Sequence, residues 1–74
     1  MKTLVAGVDL GGTNIATDVV APSGRVLGRD RRPTRSEDGA KAVLARLAGS
    51  VRAAASAAGC DVRDLAAVGV GSPG

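Results

Sequence analysis

No aromatic residue and no histidine occur among the 74 residues of this chain, and Cys60 is its one cysteine. The first absence removes the large buried areas that Phe, Tyr and Trp bring to a core. Stability then rests on Val, Leu, Ile and many alanines, in a chain whose length allows one small domain and a modest core. So thin a core predicts that the chain is a piece of a larger protein. Without histidine, neither a Ser-His or Cys-His catalytic pair nor a His-containing zinc site forms within the chain, and a single thiol excludes an internal disulfide framework. Cys60 follows the expected end of a helix and reads as a small apolar filler. No apolar run approaches the length of a membrane-spanning helix. Asp9 also cuts the apolar stretch after Met1-Lys2-Thr3 too early for a signal peptide, so a cytoplasmic protein with no membrane partner is expected.

The formal charge of +3 comes mostly from arginine, with Arg25, Arg29, Arg31, Arg32 and Arg35 within one short region. Such a cluster can attract phosphates or nucleic acid. Here it has no interleaved aromatics to stack bases and no recognisable helix-turn-helix. A solvated strand and loop surface is expected, with no nucleic-acid partner.

What is present follows a regular order. Residues 3–10, T-L-V-A-G-V-D-L, form an unbroken apolar run up to Asp9, the pattern of a central strand covered on both faces. Residues 15–21 make a second strand, ended by Pro22-Ser23-Gly24, a turn signal because proline presets φ and glycine accepts unusual backbone angles. A third strand over 25–32 carries arginines, which suits a sheet edge, and Pro33 ends it. Three strands joined by short turns form an antiparallel meander. Thr34 and Glu37 then match a T-x-x-E capping box, with Ser36 as an alternative N-cap. The helix that follows, to Ala58, shows Ala40, Val43, Leu44, Leu47, Val51, Ala54, Ala55 and Ala58 at helical spacing. Gly49 marks a kink or a close approach within it, and Gly59 a stop. Residues 61–65 suggest a short helical turn and residues 66–71 a fourth strand. A helix between two strands favours a right-handed crossover, and so a parallel fourth strand. The fold class is α/β, in the order βββαβ. A sheet with one helix beneath it is left with a bare apolar face, which predicts self-association.

The chemistry centres on Val8 to Asn14, V-D-L-G-G-T-N. Gly11 and Gly12 allow a backbone to approach an anion closely, and with positive φ can turn successive N–H groups towards phosphate oxygens. Thr13 adds a hydroxyl, and Asp9 supplies a hard oxygen for Mg²⁺, which is held by one or two carboxylates plus substrate phosphates. The apolar pattern resumes at Ile15, which makes this a hairpin turn rather than a helix entry. Neither the P-loop nor the dinucleotide fingerprint is met there, and Gly69, Gly71 and Gly74 match the second only by spacing, at the chain's end. An ordinary turn between strands, with a solvated acid beside it, is the alternative.

Residues 8–20, V-D-L-G-G-T-N-I-A-T-D-V-V, resemble the first phosphate motif of the actin, Hsp70 and sugar kinase superfamily. Within it D-x-G-G-T is most similar to the ROK family of bacterial sugar kinases, the glucokinase-like enzymes. Val68 to Gly74, V-G-V-G-S-P-G, resembles that family's segment at the end of its fourth strand, which leads into a sugar-contacting loop. The resemblance implies a ribonuclease-H-like ATPase-domain start with the fourth strand beside the first, so that residues 1–74 form a partial amino-terminal nucleotide-phosphate-binding domain. It implies that Asp9 acts through Mg²⁺ near the β and γ phosphates of ATP, and that Gly11, Gly12 and Thr13 contact phosphate oxygens. Asn14 stands where many members carry lysine. Gly71, Ser72, Pro73 and Gly74 would approach the hydroxyls of a hexose, glucose foremost, phosphorylated by a homo-oligomeric parent. Asp18 reads as a structural or solvated acid. The catalytic aspartate, the sugar-binding Glu and His, the adenosine loop and a cysteine-rich motif for structural Zn²⁺ match no residue here, and the chain alone is expected to be inactive. Sugar-responsive repressors of the same family carry a winged helix-turn-helix before this point, whereas Met1 here precedes the first strand almost directly. A non-catalytic phosphate-binding fragment is the third reading.

Overall fold

A computed structural model describes residues 3–72. Four strands, β1 (Leu4–Leu10), β2 (Asn14–Val20), β3 (Val26–Pro33) and β4 (Leu65–Gly71), form one sheet in the order β3-β2-β1-β4. The first three are antiparallel and β4 runs parallel to β1, reached through the helix α1 (Ala40–Ala57). Pro33 is the last residue of β3, opposite Asn14, rather than a breaker just beyond it.

The core lies between α1 and one face of the sheet. Leu4, Ala6 and Val8 of β1 and Ile15 and Val19 of β2 point down onto Val51, Ala54 and Ala55 of α1. The period of two along the strands and the helical spacing of those three residues bring the apolar sets together. Gly28 on β3 marks the closest approach of sheet to helix. A Cβ built there would lie 2.3 Å from the Ala54 carbonyl oxygen and 2.6 Å from the Ala58 nitrogen. One polar pair sits inside this core, the Thr17 and Ser50 hydroxyls, 2.8 Å apart and fully buried.

The helix differs from its sequence reading at both margins. Leu44 belongs to the apolar repeat but is 63% exposed, because the stripe that meets the sheet runs through Val51, Ala54 and Ala55. The capping box at Thr34 and Glu37 does not form. A short 3-10 turn, Ser36–Asp38, precedes the helix, whose N-cap is Gly39 at φ 96° without a side-chain bond. Thr34 is occupied elsewhere, as described below. At the other end Gly59 takes φ 81°, and the N–H groups of Gly59 and Cys60 donate to the carbonyls of Ser56 and Ala55. This is the Schellman pattern that a glycine after a helix allows. Helix α1 runs unbroken past Gly49, where a Cβ would meet the Arg32 guanidinium at 2.7 Å; the glycine serves close approach, not a kink. The turn at 61–65 is a 3-10 turn, Val62–Asp64, capped by the Asp61 side chain.

The opposite face of the sheet is bare, so β1 is covered on one face, not on two. That face is not uniformly apolar either. Val5 and Ala67 hold one end, whereas Asp9, Asp18, Arg29 and Arg31 occupy the other. On the helix side, Val68 and Val70 of β4 extend beyond the reach of α1 and are exposed. No helix among the described residues is long and apolar enough to cross a membrane.

Candidate functional site

Two rows of residues cross the bare face at the end of β1. Neighbouring strands place Gly71, Asp9, Ala16 and Arg31 side by side, and beneath them Gly69, Gly7, Asp18 and Arg29. Residues paired across strands share a face, so Asp9 stands between a glycine and an alanine with little around its carboxylate. Asp9 enters no ion pair among the described residues. Asp18 does, with Arg29 at 3.3 Å, on exposed side chains, as suits a solvated acid. An open depression joins Asp9, Asp18, Arg29 and Arg31 to Gly7, Gly69, Gly71 and Ser72. Its floor over β1 and β4 is bare backbone: a Cβ at Gly7, Gly69 or Gly71 would meet nothing within 4 Å.

The hairpin turn follows directly from β1. The Gly11 N–H donates to the Asn14 carbonyl at 2.9 Å and closes it. The N–H groups of Gly12 and Thr13 donate to no backbone carbonyl among the described residues, and both residues are exposed. Neither glycine has the positive φ expected from the sequence; that backbone belongs to Gly24, Gly39 and Gly59. At Gly11 a Cβ would press the Asn14 carbonyl oxygen at 3.2 Å, whereas at Gly12 it would meet nothing within 4 Å. The local fold therefore leaves Gly12 free to carry a side chain. Its bareness suits close approach of a ligand to two unpaired amide donors.

Of the residues singled out in the sequence, Asp9, Gly71 and Ser72 share the depression, with Asp9 and Gly71 as register partners. Gly11 to Asn14 lie beyond the strand end and do not line it. Pro73 and Gly74 lie outside the described residues. The roles of two residues at the turn escaped the sequence reading. Thr34, 3% exposed, donates its hydroxyl to the Gly11 carbonyl at 2.8 Å and its N–H to the Thr13 carbonyl at 2.9 Å. Arg46 of α1 donates to the carbonyls of Thr34 at 2.9 Å and Arg35 at 3.2 Å, and also pairs with Asp38. The T-x-x-E spacing masked Thr34, whose position opposite Thr13 depends on the β2–β3 register.

A second charged group lies on the helix side. Arg32 donates to Asp30 at 2.8 Å. That bond holds the Asp30 carboxyl below its ordinary value, against the opposing cost of burial and with help from the Ser50 hydroxyl. The same bond raises the Arg32 guanidinium. Arg32 is half-buried, so it departs from the solvated arginine surface expected of this region. The pair braces β3 against α1 and lies on the far side of the sheet from Asp9.

Comparison with known proteins bears on the whole chain. The glucokinase of Thermotoga maritima is 34% identical over 73 residues, which span 99% of this chain and 22% of that enzyme. A ROK family glucokinase from Streptomyces griseus, solved in complex with glucose and AMPPNP, superposes with a TM-score of 0.79 at 35% identity. The chain is homologous to part of a ROK glucokinase. It matches 96% of its own length to 20% of the Streptomyces enzyme, and the βββαβ sheet corresponds to the amino-terminal ATPase domain of that family. The chain thus spans about a fifth of the length of the relatives it matches. No protein-family model matches the chain.

Proposed function

We propose that this chain supplies the first phosphate-binding segment of a sugar kinase that transfers the γ-phosphoryl group of ATP to a hexose, glucose foremost. The observation that carries the reading is the juxtaposition at the end of β1: Gly12 and Thr13, whose N–H groups have no backbone acceptor among the described residues, lie three and four residues beyond Asp9, whose carboxylate enters no ion pair among them. Phosphoryl transfer depends mainly on positioning and on neutralising charge, and a turn of free N–H donors does the first of these for phosphate oxygens. The Streptomyces neighbour, with glucose and an ATP analogue bound, supports the choice of both ligands.

The donor set fits Mg²⁺ better than a metal held by the protein alone. Among the described residues no group of three or more His, Cys, Asp or Glu gathers to hold an ion. A single free carboxylate matches Mg²⁺, which keeps its waters and takes its other ligands from substrate phosphates. Asp9 is the residue that would hold it, and bound Mg²⁺ would neutralise charge on the phosphates. The Gly12 and Thr13 N–H groups and the Thr13 hydroxyl would orient the phosphate chain. Gly71 and Ser72, in the same depression, would approach the sugar, with Pro73 and Gly74 continuing that loop. The general base for the sugar hydroxyl belongs to the remaining four-fifths of a full-length kinase.

The test is glucose-dependent release of ADP from ATP and Mg²⁺ by the full-length protein. Asp9→Asn should lower kcat by about 100-fold and leave the unfolding free energy within about 0.5 kcal/mol of the parent, since the side chain is exposed and enters no ion pair among the described residues. A parent protein that releases no ADP with glucose or another hexose would overturn the reading.

A further inference from the structure

We infer that Thr34, held in place by Arg46, is the positioning residue that aims the Gly12 amide of the glycine turn at phosphate. The inference rests on the kinase reading above and goes beyond it, because neither residue lies in the D-x-G-G-T segment. Thr34 grips the turn at two points, through the Gly11 carbonyl and the Thr13 carbonyl. No cis peptide bond occurs among the described residues, and in a trans peptide the C=O and N–H of one unit point in opposite directions. Holding the Gly11 carbonyl towards Thr34 therefore turns the Gly12 N–H away from it. Holding the Thr13 carbonyl does the same for the Asn14 N–H. Of the two donors proposed above, the Gly12 N–H is thus aimed outward by the Thr34 side chain, while the Thr34 N–H fixes the far end of the turn. Glycines at 11 and 12 would otherwise leave the peptide plane between them free to turn.

Thr34 is fixed in turn from the helix. The Arg46 guanidinium spans the carbonyls of Thr34 and Arg35 and reaches Asp38. Arg35 is the single non-glycine residue with positive φ among those described, at φ 51° and ψ 58°. An arginine held in that left-handed conformation is strained, and such strain persists where surrounding contacts over-determine it. The kink at Arg35 lets the chain leave β3 with the Thr34 hydroxyl beneath the turn, while Arg46 satisfies the two carbonyls there. Helix α1, β3 and the glycine turn are thereby joined through one residue.

The test uses the full-length protein and separates nucleotide handling from folding. Thr34→Val keeps size and β-branching but loses the hydroxyl; the KM for Mg-ATP should rise about tenfold, with the KM for glucose within twofold. Thr34→Ser, which keeps the donor, should restore the nucleotide KM to within about twofold, whereas Arg46→Gln should raise it in the same direction by a smaller factor. The amide resonance of Gly12 should shift in Thr34→Val and return in Thr34→Ser, with or without nucleotide. Unchanged nucleotide KM in a folded Thr34→Val protein would overturn the inference, as would equal changes in Thr34→Val and Thr34→Ser. If the parent protein turns over no sugar, the kinase reading fails, and AMPPNP affinity with the Gly12 resonance then decides the role of Thr34. No AMPPNP binding by the parent protein would end both.

Discussion

Gly28→Ala should damage the fold more than alanine at any other strand glycine, Gly7, Gly69 or Gly71. The new Cβ would lie 2.3 Å from the Ala54 carbonyl oxygen, 2.6 Å from the Ala58 nitrogen and 2.9 Å from the Ala58 Cβ. An ordinary carbon–oxygen contact is about 3.5 Å, so the last turn of α1 must move by roughly 1 Å. The first two obstacles are backbone, so no side-chain rotation relieves them, and the same turn carries the buried Ala54 and Ala55. Overpacking of a tight core costs about 1–3 kcal/mol, and backbone obstacles place this case at about 3 kcal/mol. For a urea m-value of about 1–3 kcal/mol per molar, the midpoint should fall by roughly 1–3 M. Gly7→Ala is the matched control on the bare face, where a Cβ meets nothing within 4 Å, and should stay within about 0.5 kcal/mol of the parent. Adding Ala58→Gly to Gly28→Ala removes the 2.9 Å contact alone and should recover little. A Gly28→Ala protein as stable as Gly7→Ala would refute the close approach of β3 and α1, and with it the placement of Arg32 over Gly49.

Two further outcomes concern the polar groups beneath the sheet. Ser50→Ala leaves the fully buried Thr17 hydroxyl without its 2.8 Å partner and should cost about 1–3 kcal/mol. Adding Thr17→Val should return most of that loss by urea denaturation, and additive losses would contradict the pairing. Asp30 titrates below its ordinary value because Arg32 bonds its charged form. Its contribution is therefore complete above the unfolded carboxylate pKa of about 3.9 and is lost as pH falls through the lower folded value. Asp30→Asn should cost about 1 kcal/mol at pH 7, a gap that closes below about pH 4; a gap constant from pH 7 to pH 3 would exclude this origin.

The element order was legible because local chemistry marked each boundary. Pro22-Ser23-Gly24 turns the chain where the sequence requires it, with Gly24 at φ 89°, and Gly59 ends α1. Asp9 interrupts an apolar strand, and in three dimensions it lies exposed at the end of β1 and enters no ion pair among the described residues. The capping box misled because spacing alone does not say where a threonine hydroxyl goes. Thr34 had a second acceptor, the Gly11 carbonyl, supplied by a turn more than twenty residues away. Leu44 was misplaced because helical periodicity states which residues share a face but not how wide a sheet covers it.

The least legible feature decides the most. Between β2 and β3 the pairing begins as Val20 opposite Val26 and continues as Val19 opposite Gly28, so Leu27 is the extra residue of a bulge. An extra residue reverses which side chains of the strand face which side. Without it, Thr17 would lie opposite Arg29 and Asp18 opposite Gly28. Gly28 would then leave the helix face, where its missing side chain permits the close approach to Ala54, and Arg29 would turn inward against Ser50. The same step carries Thr34 from a place opposite Gly12 to one opposite Thr13. There its N–H reaches the Thr13 carbonyl and its hydroxyl reaches Gly11. No composition or turn rule marks Leu27, because bulges follow from tertiary packing against α1 rather than from local preference. One residue far from the glycine turn thus sets which residue holds it.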